Sequence, residues 1–308
     1  VARDTSYQVN LQARNLQAGK LGSIKEIGLI SLSANVQGRG LSLNTANTTI
    51  KGQVDLAQYK GYSYQHLVLD ASIASKQIQL KASMPDPNLS FKLIGRTDLS
   101  QKVHSLHLQL KLDSSNFKSL HFSKTTIRLH GMLKADIPRL DINHPEGELK
   151  VSDLLLNTDS TSIPIDTIDL SVHSVGEVKT IALRSEFIKA DINGQLFLPD
   201  ITTQLTQQIN KYYPFTVRKS LLKEQPADFQ FNAIILGPPA LHKFIPKLAS
   251  FNPVILKGSY NSLRQILLLD ASAPHIQYAD ISIDNLKLGL NGDDNRLTYV
   301  LSVDSISG

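Results

Sequence analysis

Between Ser105 and Asp113 the chain reads SLHLQLKLD. Leu106, Leu108, Leu110 and Leu112 point one way along an extended backbone, and His107, Gln109, Lys111 and Asp113 point the other. A period of two makes this a strand with one apolar and one polar face. The same device recurs almost from end to end. Ile50, Val54 and Leu56 share a face with Gly52, and Ile78, Leu80 and Met84 share one with Ala82. Further on come Leu89, Phe91, Leu93 and Leu99, then Ile127, Leu129, Leu133, Ala135 and Ile137. Ile188, Ala190, Ile192, Leu196 and Leu198 follow, and near the end Leu286, Leu288 and Leu290 precede Leu297, Tyr299, Leu301 and Val303. Turn chemistry separates these runs: PDPN after Met84, DSSN from Asp113, HPEG from His144 and NGDDN from Asn291. About seventeen strands result, joined mostly to sequential neighbours, which favours antiparallel meanders.

Two segments break the alternation. Ile201, Leu205 and Ile209 recur every four residues, followed by Tyr212, with Asp200 or Thr202 as the cap and Pro214 as the stop. Leu241, Phe244, Ile245 and Leu248 also fall at helical intervals, behind Pro238 and Pro239 and interrupted by Pro246. Both read as short amphipathic helices, serving as lids over an apolar face or as guards on a sheet edge. The chain therefore divides into a repeated strand segment over 1–199, a helix-strand-helix insertion over 200–250, and continuing strands over 251–308. Both ends read as strands in progress, so an internal piece of a longer chain is expected.

Apolar sheet faces must be covered. A second sheet, a closed barrel filled by side chains, or a ligand can do this. About seventeen strands exceed what one compact open sheet holds; stacked about 4.8 Å apart they would run on the order of 80 Å. Aromatic residues make up 6% of the 308 and Trp is absent, so the apolar faces are walled mainly by aliphatic side chains. Such walls suit acyl chains.

Sites for chemistry are not evident. Cys is absent, which removes thiolate nucleophiles and Cys-ligated zinc. The nine His residues show no metal-ligand spacing; His104 and His107 fall on opposite faces of a strand, and His121, His130, His144 and His173 are scattered. Asp86, Asp293 and Asp294 sit in turn sequences, no Gly-x-Ser-x-Gly elbow occurs, and the GRG at Gly38–Gly40 is too short to cradle a phosphate. The reading is of a protein that is not an enzyme and needs no metal or cofactor. No run approaches the roughly 18 to 20 apolar residues of a membrane-spanning helix. The net charge of +5 comes without a basic cluster interleaved with aromatics, so nucleic acid is not an expected partner.

Two stretches carry a family resemblance. GRGLSLNTANTTIKGQVDLAQYKGYSYQHLVLDASIASKQIQLKASMPDPNLSFKLIGRTDLS, from Gly38 to Ser100, and FIPKLASFNPVILKGSYNS, from Phe244 to Ser262, resemble the TamB translocation and assembly module family in its Bacteroidetes-type form. That family belongs with AsmA-like proteins of the repeating β-groove class. The resemblance implies an all-β fold: a long curled antiparallel sheet forming an open apolar groove, interrupted by the two short helices. It implies a periplasmic protein anchored in the inner membrane by a segment outside this sequence. Phospholipid acyl chains would pass along the groove towards the outer membrane, and a BamA-like outer-membrane barrel is a possible partner, with a possible role in outer-membrane protein assembly. The residues grouped above on the apolar faces would line the groove, and the two helices would be its lids. Two other readings compete: a structural β-rod or scaffold with a packed core, and an outer-membrane β-barrel. The barrel fits poorly, because no rhythm of aromatic residues marks its two interfaces.

Overall fold

A computed structural model describes residues 6–212, 225–237, 245 and 247–308. The protein is all-β, with 68% of it in strands and 7% in helices. Among the described residues 19 strands belong to one open antiparallel sheet, with no closure into a barrel. The chain divides into two compact units: Val1–Leu140 with Leu149–Thr167, and Asp141–Glu148 with Ile168–Gly308.

In the first unit the strands are β1 (Ser6–Gln17), β2 (Ile27–Arg39), β3 (Asn47–Tyr59), β4 (Tyr62–Ala74), β5 (Gln77–Asp86), β6 (Leu89–Asp98), β7 (Ser105–Asn116) and β8 (Arg128–Arg139). A single short helix, α1 (Ala18–Gly22), follows β1. Each strand pairs with the next, from β1 with β2 through to β7 with β8. Tight turns enforce that order. Lys60 and Gly61 both hold positive φ, as do Ser75 and Lys76, so each pair closes a two-residue hairpin of the mirror-image type whose twist matches the strands. The strands β9 (Glu146–Asn157) and β10 (Ser162–Val175) contribute residues to both units.

The second unit continues with β11 (Val178–Ser185), β12 (Ile188–Gln195), α2 (Leu198–Tyr212), β13 (Asp228–Ile235), β14 (Leu248–Phe251), β15 (Val254–Asn261), β16 (Ile266–Tyr278), β17 (Ile281–Gly292), β18 (Leu297–Ser302) and β19 (Ser305–Ser307). β10 pairs with β11, β11 with β12, β12 with β13 and β13 with β15; then β15 pairs with β16, β16 with β17 and β17 with β18. β14 and β15 take successive stretches of β16, and β18 and β19 take successive stretches of β17. β13 thus has a sheet neighbour on each side and is integral to the ladder.

Two sequence expectations need correction. Leu248 opens strand β14 and is not helical. Its pairing with Tyr278 supplies backbone partners that outweigh a short helical spacing already interrupted by Pro246. Leu198 is the first residue of α2 rather than a strand residue, since β12 ends at Gln195. Leu241 and Phe244 lie outside the described residues, and Ile245 is exposed at a bend.

Candidate functional site

Pairing register turns the alternation of single strands into continuous rows. In the first unit Leu11, Ala34, Gly52, Leu69, Ala82, Leu93, Leu110 and Leu133 are opposite one another in succession across β1 to β8. Beside that row runs Val9, Val36, Ile50, Ala71, Leu80, Gly95, Leu108 and Ala135. Eight strands carry each row about 34 Å. Ile73, Ile78, Leu106 and Ile137 extend the face in one direction, with Thr97 in line. Val54 with Leu67, and Met84 with Phe91 and Leu112, extend it in the other.

Most of this face is neither buried nor fully exposed. Leu69, Ala82, Leu93, Leu110 and Leu133 are all half-buried, and Leu11 on the edge strand is 54% exposed. A leucine in a packed core would touch neighbours on every side and lose nearly all its accessible surface. These have neighbours along the sheet and a free side above it. A cavity of about 670 Å³ is lined mostly by the polar-side neighbours of that row, among them Asn10, Ser33, Asn35, Lys51, Gln53 and Asp70.

At one end of this unit the segment after β7 reaches back to the β5–β6 and β3–β4 turns. The His121 ring Nδ1 lies 2.8 Å from the Lys60 carbonyl in the β3–β4 turn, and the Lys60 ammonium sits 5.6 Å from the Phe122 ring. Leu120 is buried there. The same end is tied by Asp86, which is 2% exposed. Its carboxylate accepts from the Tyr62 hydroxyl at 2.5 Å, Asn88 N–H at 2.8 Å, Gln65 N–H at 3.0 Å and Leu89 N–H at 3.2 Å. Burial, reinforced by that hydrogen bond, holds the Tyr62 phenol above its ordinary pKa of 10.0.

The second unit repeats the arrangement. Leu170, Leu183, Ala190, Ala233, Leu256, Ala271, Leu288 and Leu301 form one row across eight strands. Val172, Ile181, Ile192, Phe231, Gly258, Leu269, Leu290 and Tyr299 form the next. Here a helix covers part of the face. Ile201 and Leu205 of α2 pack on a buried cluster of Ile181, Leu196, Ala227, Phe229 and Tyr260. The cluster lies at the strand ends, with the Phe229 and Tyr260 rings 5.8 Å apart.

A second stripe of α2 is polar and buried: Asp200, Gln204 and Gln208. It satisfies main-chain groups that the turns leave unpaired. The Asp200 carboxylate accepts from Gln225 N–H at 3.2 Å, and Gln204 Nε2 donates to the Gln225 carbonyl at 2.7 Å. Gln208 Nε2 donates to the Gln265 carbonyl at 2.8 Å. The Tyr212 hydroxyl donates to the Asp293 carbonyl in the β17–β18 turn. Ile209 is 40% exposed, so the apolar stripe in contact is Ile201 and Leu205.

The lining residues read from sequence fall as follows. Ile50, Val54, Ile78, Leu80, Met84, Phe91, Leu93, Leu106, Leu108, Leu110, Leu112, Leu133 and Ile137 share the first unit's apolar face, and Ile192, Leu288, Leu290 and Leu301 share the second's. Ile188 pairs with Ile235 and Leu286 with Ala273. Leu56, opposite Gln65, and Leu89 and Leu129, both opposite Ser115, sit at the tied end of the first unit. Ile127 precedes β8, and its carbonyl accepts from Phe117 N–H. Leu196 belongs to the cluster beneath α2. Sequence reading passed over Val9, Leu11, Val36, Val172 and Ile181, although each lies in an alternating run; only the register shows that they continue a row.

Several His residues find carboxylates across strands. His107 is 2.9 Å from Asp136, His173 is 3.3 Å from Glu146 and His275 is 2.7 Å from Asp284. Ser305 also donates to Asp284, at 2.8 Å, so the acid is the centre of that group and the hydroxyl is not activated by the imidazole. Among the described residues no group of three or more His, Asp or Glu gathers to hold a metal ion. No helix among them is long and apolar enough to cross a membrane. Comparison of the chain with protein-family models, curated proteins and solved structures gives no match.

Proposed function

We propose that the apolar face of the sheet is a lipid-carrying surface, and that the protein conducts phospholipid by its acyl chains across the periplasm between inner and outer membrane, as the likeness to the TamB family implies. The observation that carries the reading is the first unit's pair of eight-strand apolar rows, half-buried with a free side. An acyl chain laid on them would supply the missing half of a core, at about 0.8 kcal/mol per methylene removed from water. Attraction of this kind is non-directional, so a tail held on a smooth aliphatic row is free to slide along it. The headgroup would remain on the open side. A BamA-like barrel as receiver, and an inner-membrane anchor outside this sequence, belong to the same proposal.

The packed cluster beneath α2 favours a second reading, a scaffold whose faces are filled by the chain itself. Native mass spectrometry of the purified protein separates the two. Co-purified phospholipid is expected, and lipid-free protein in repeated preparations would refute the carrier. Leu110→Asp, which puts a charge in the middle of the first row, should abolish photo-cross-linking to lipid. Gln109→Asp, one residue along on the polar face, should leave it intact.

A further inference from the structure

Positive charge is distributed unevenly along the chain. Residues 1–140 hold 18 Lys and Arg against 8 Asp and Glu, a net of +10; residues 141–308 hold 14 against 19, a net of −5, and together these give the chain's +5. Part of the excess is gathered by strand pairing on the polar face of β5 to β8. There Lys92 is directly opposite Lys111, Arg96 is opposite His107, Lys81 is opposite Ile94 on one side and Asp70 of β4 on the other, and Lys134 is opposite Gln109. All five cations are exposed. Three carboxylates share the surface, and all are engaged: Asp136 with His107 at 2.9 Å, Asp113 with Lys111 at 2.8 Å, and Asp98 with Ser100 N–H at 2.8 Å and Gln77 at 3.2 Å.

Like charges set directly opposite on paired strands cost stability, so the Lys92–Lys111 pair is a burden on the isolated fold. The polar face of the second unit is built differently. Lys257 is opposite Asp270, and Arg184, opposite Asp169, bonds Asp191 at 2.5 Å. Each of these two cations is set against a carboxylate, in a unit whose net charge is negative.

We infer that the polar face of β5–β8 docks on an anionic lipid bilayer surface. Three features select that occupant from other polyanions. Lys supplies four of the five cations, whereas protein–protein interfaces are depleted in Lys. No Phe, Tyr or Trp side chain lies on this face for bases to stack on. Ile94, 53% exposed, and Met132, 36% exposed, stand among the cations, an arrangement that matches the boundary between headgroups and acyl chains. The inference is independent of the apolar face, which is the opposite side of the same strands.

Sedimentation of the full chain with phosphatidylcholine vesicles, with and without phosphatidylglycerol, tests it. Binding is expected only to the anionic vesicles, weakening as salt is raised. Each lysine near such a surface contributes about fivefold in partitioning, so Lys92→Gln/Lys111→Gln should lower it about 25-fold. Lys92→Arg/Lys111→Arg should restore it, and Lys257→Gln/Lys287→Gln in the second unit should leave it unchanged. The Gln pair removes both the Lys92–Lys111 repulsion and the Lys111–Asp113 ion pair, so an unfolding midpoint close to wild type would accompany the loss and show that the fold survives. Equal binding to neutral vesicles, or undiminished binding by the Gln pair, would overturn the inference. So would retention on heparin that the Gln pair abolishes while anionic vesicles fail to bind the wild type, because the occupant would then be a polyanion other than a bilayer.

Discussion

Gly95 and Gly258 both interrupt an apolar row, yet the space above them differs. A Cβ on Gly95 would meet Leu108 Cδ1 at 3.5 Å and Leu80 Cβ at 3.9 Å, ordinary contacts. At Gly258 it would come within 2.3 Å of the Leu268 carbonyl oxygen and 2.5 Å of the Phe231 ring. Gly95→Ala should therefore stabilise by about 0.5–1 kcal/mol, since a glycine inside a strand wastes chain entropy. Gly258→Ala should destabilise by about 1–3 kcal/mol through overpacking. Urea unfolding midpoints of the two variants check both signs. The contrast also defines what the sequence conceals. A glycine in an alternating run reads the same whether it leaves a dip or makes way for a ring, because the ring comes from the neighbouring strand.

At the scale of elements, the alternation around Leu110 or Ile50 was enough to read strands and their apolar side, because period two is a local property. The turns at Asp86 and Asp293 were legible from Asx chemistry, and the Asp86 carboxylate does accept from Asn88 and Leu89. The joining of rows across eight strands was not legible, because register depends on pairing partners far along the chain. The cationic surface escaped for the same reason: Lys81, Lys92, Arg96, Lys111 and Lys134 are far apart in sequence and meet only through the ladder. The first amphipathic helix was legible from Ile201, Leu205 and Ile209, but its glutamine stripe carries no periodic apolar signal. That stripe yields a prediction. Gln208→Ala leaves the Gln265 carbonyl without its donor and should cost about 1–3 kcal/mol, the penalty of a buried group left unpaired. The loss should be local. Hydrogen exchange should quicken in α2 while β15 to β17 keep their protection, and under the lipid-carrier reading the amount of lipid retained should rise as the cluster beneath is uncovered.

Over the whole molecule, carboxylates set the acid limit. Asp98, bonded by Ser100, and Asp113, bonded by Lys111, lie below their ordinary value of 3.8 in the first unit. Asp141 and Asp293, bonded chiefly by backbone N–H groups, and Asp284, bonded by His275, lie below it in the second. Each binds fewer protons folded than unfolded, so its stabilisation is complete above pH 3.8 and is lost as pH falls through the folded value. The phenols of Tyr62, Tyr64 and Tyr212 are raised above 10.0, chiefly by burial. They retain protons that the unfolded chain releases, so stability declines as pH climbs past 10. A profile of Tm against pH should fall below about pH 4 and above about pH 10. A midpoint unchanged at about pH 2.5 or at about pH 11 would contradict this assignment.

Among the described residues β1 pairs with β2 alone and β18 with β17 alone, and both carry exposed apolar side chains: Val9 and Leu11 on one, Tyr299, Val300 and Leu301 on the other. An unpaired strand offers a backbone template to any extended segment it meets, and natural sheets usually blunt such rims with charge, proline or a covering loop. On β1 the register shift between Ala13 and Leu16, at Arg14 and Asn15, is a guard of this kind, while β18 runs against β17 with no shift. The two rims are therefore unequal: β1 is bent out of template geometry past Ala13, and β18 offers a straight one.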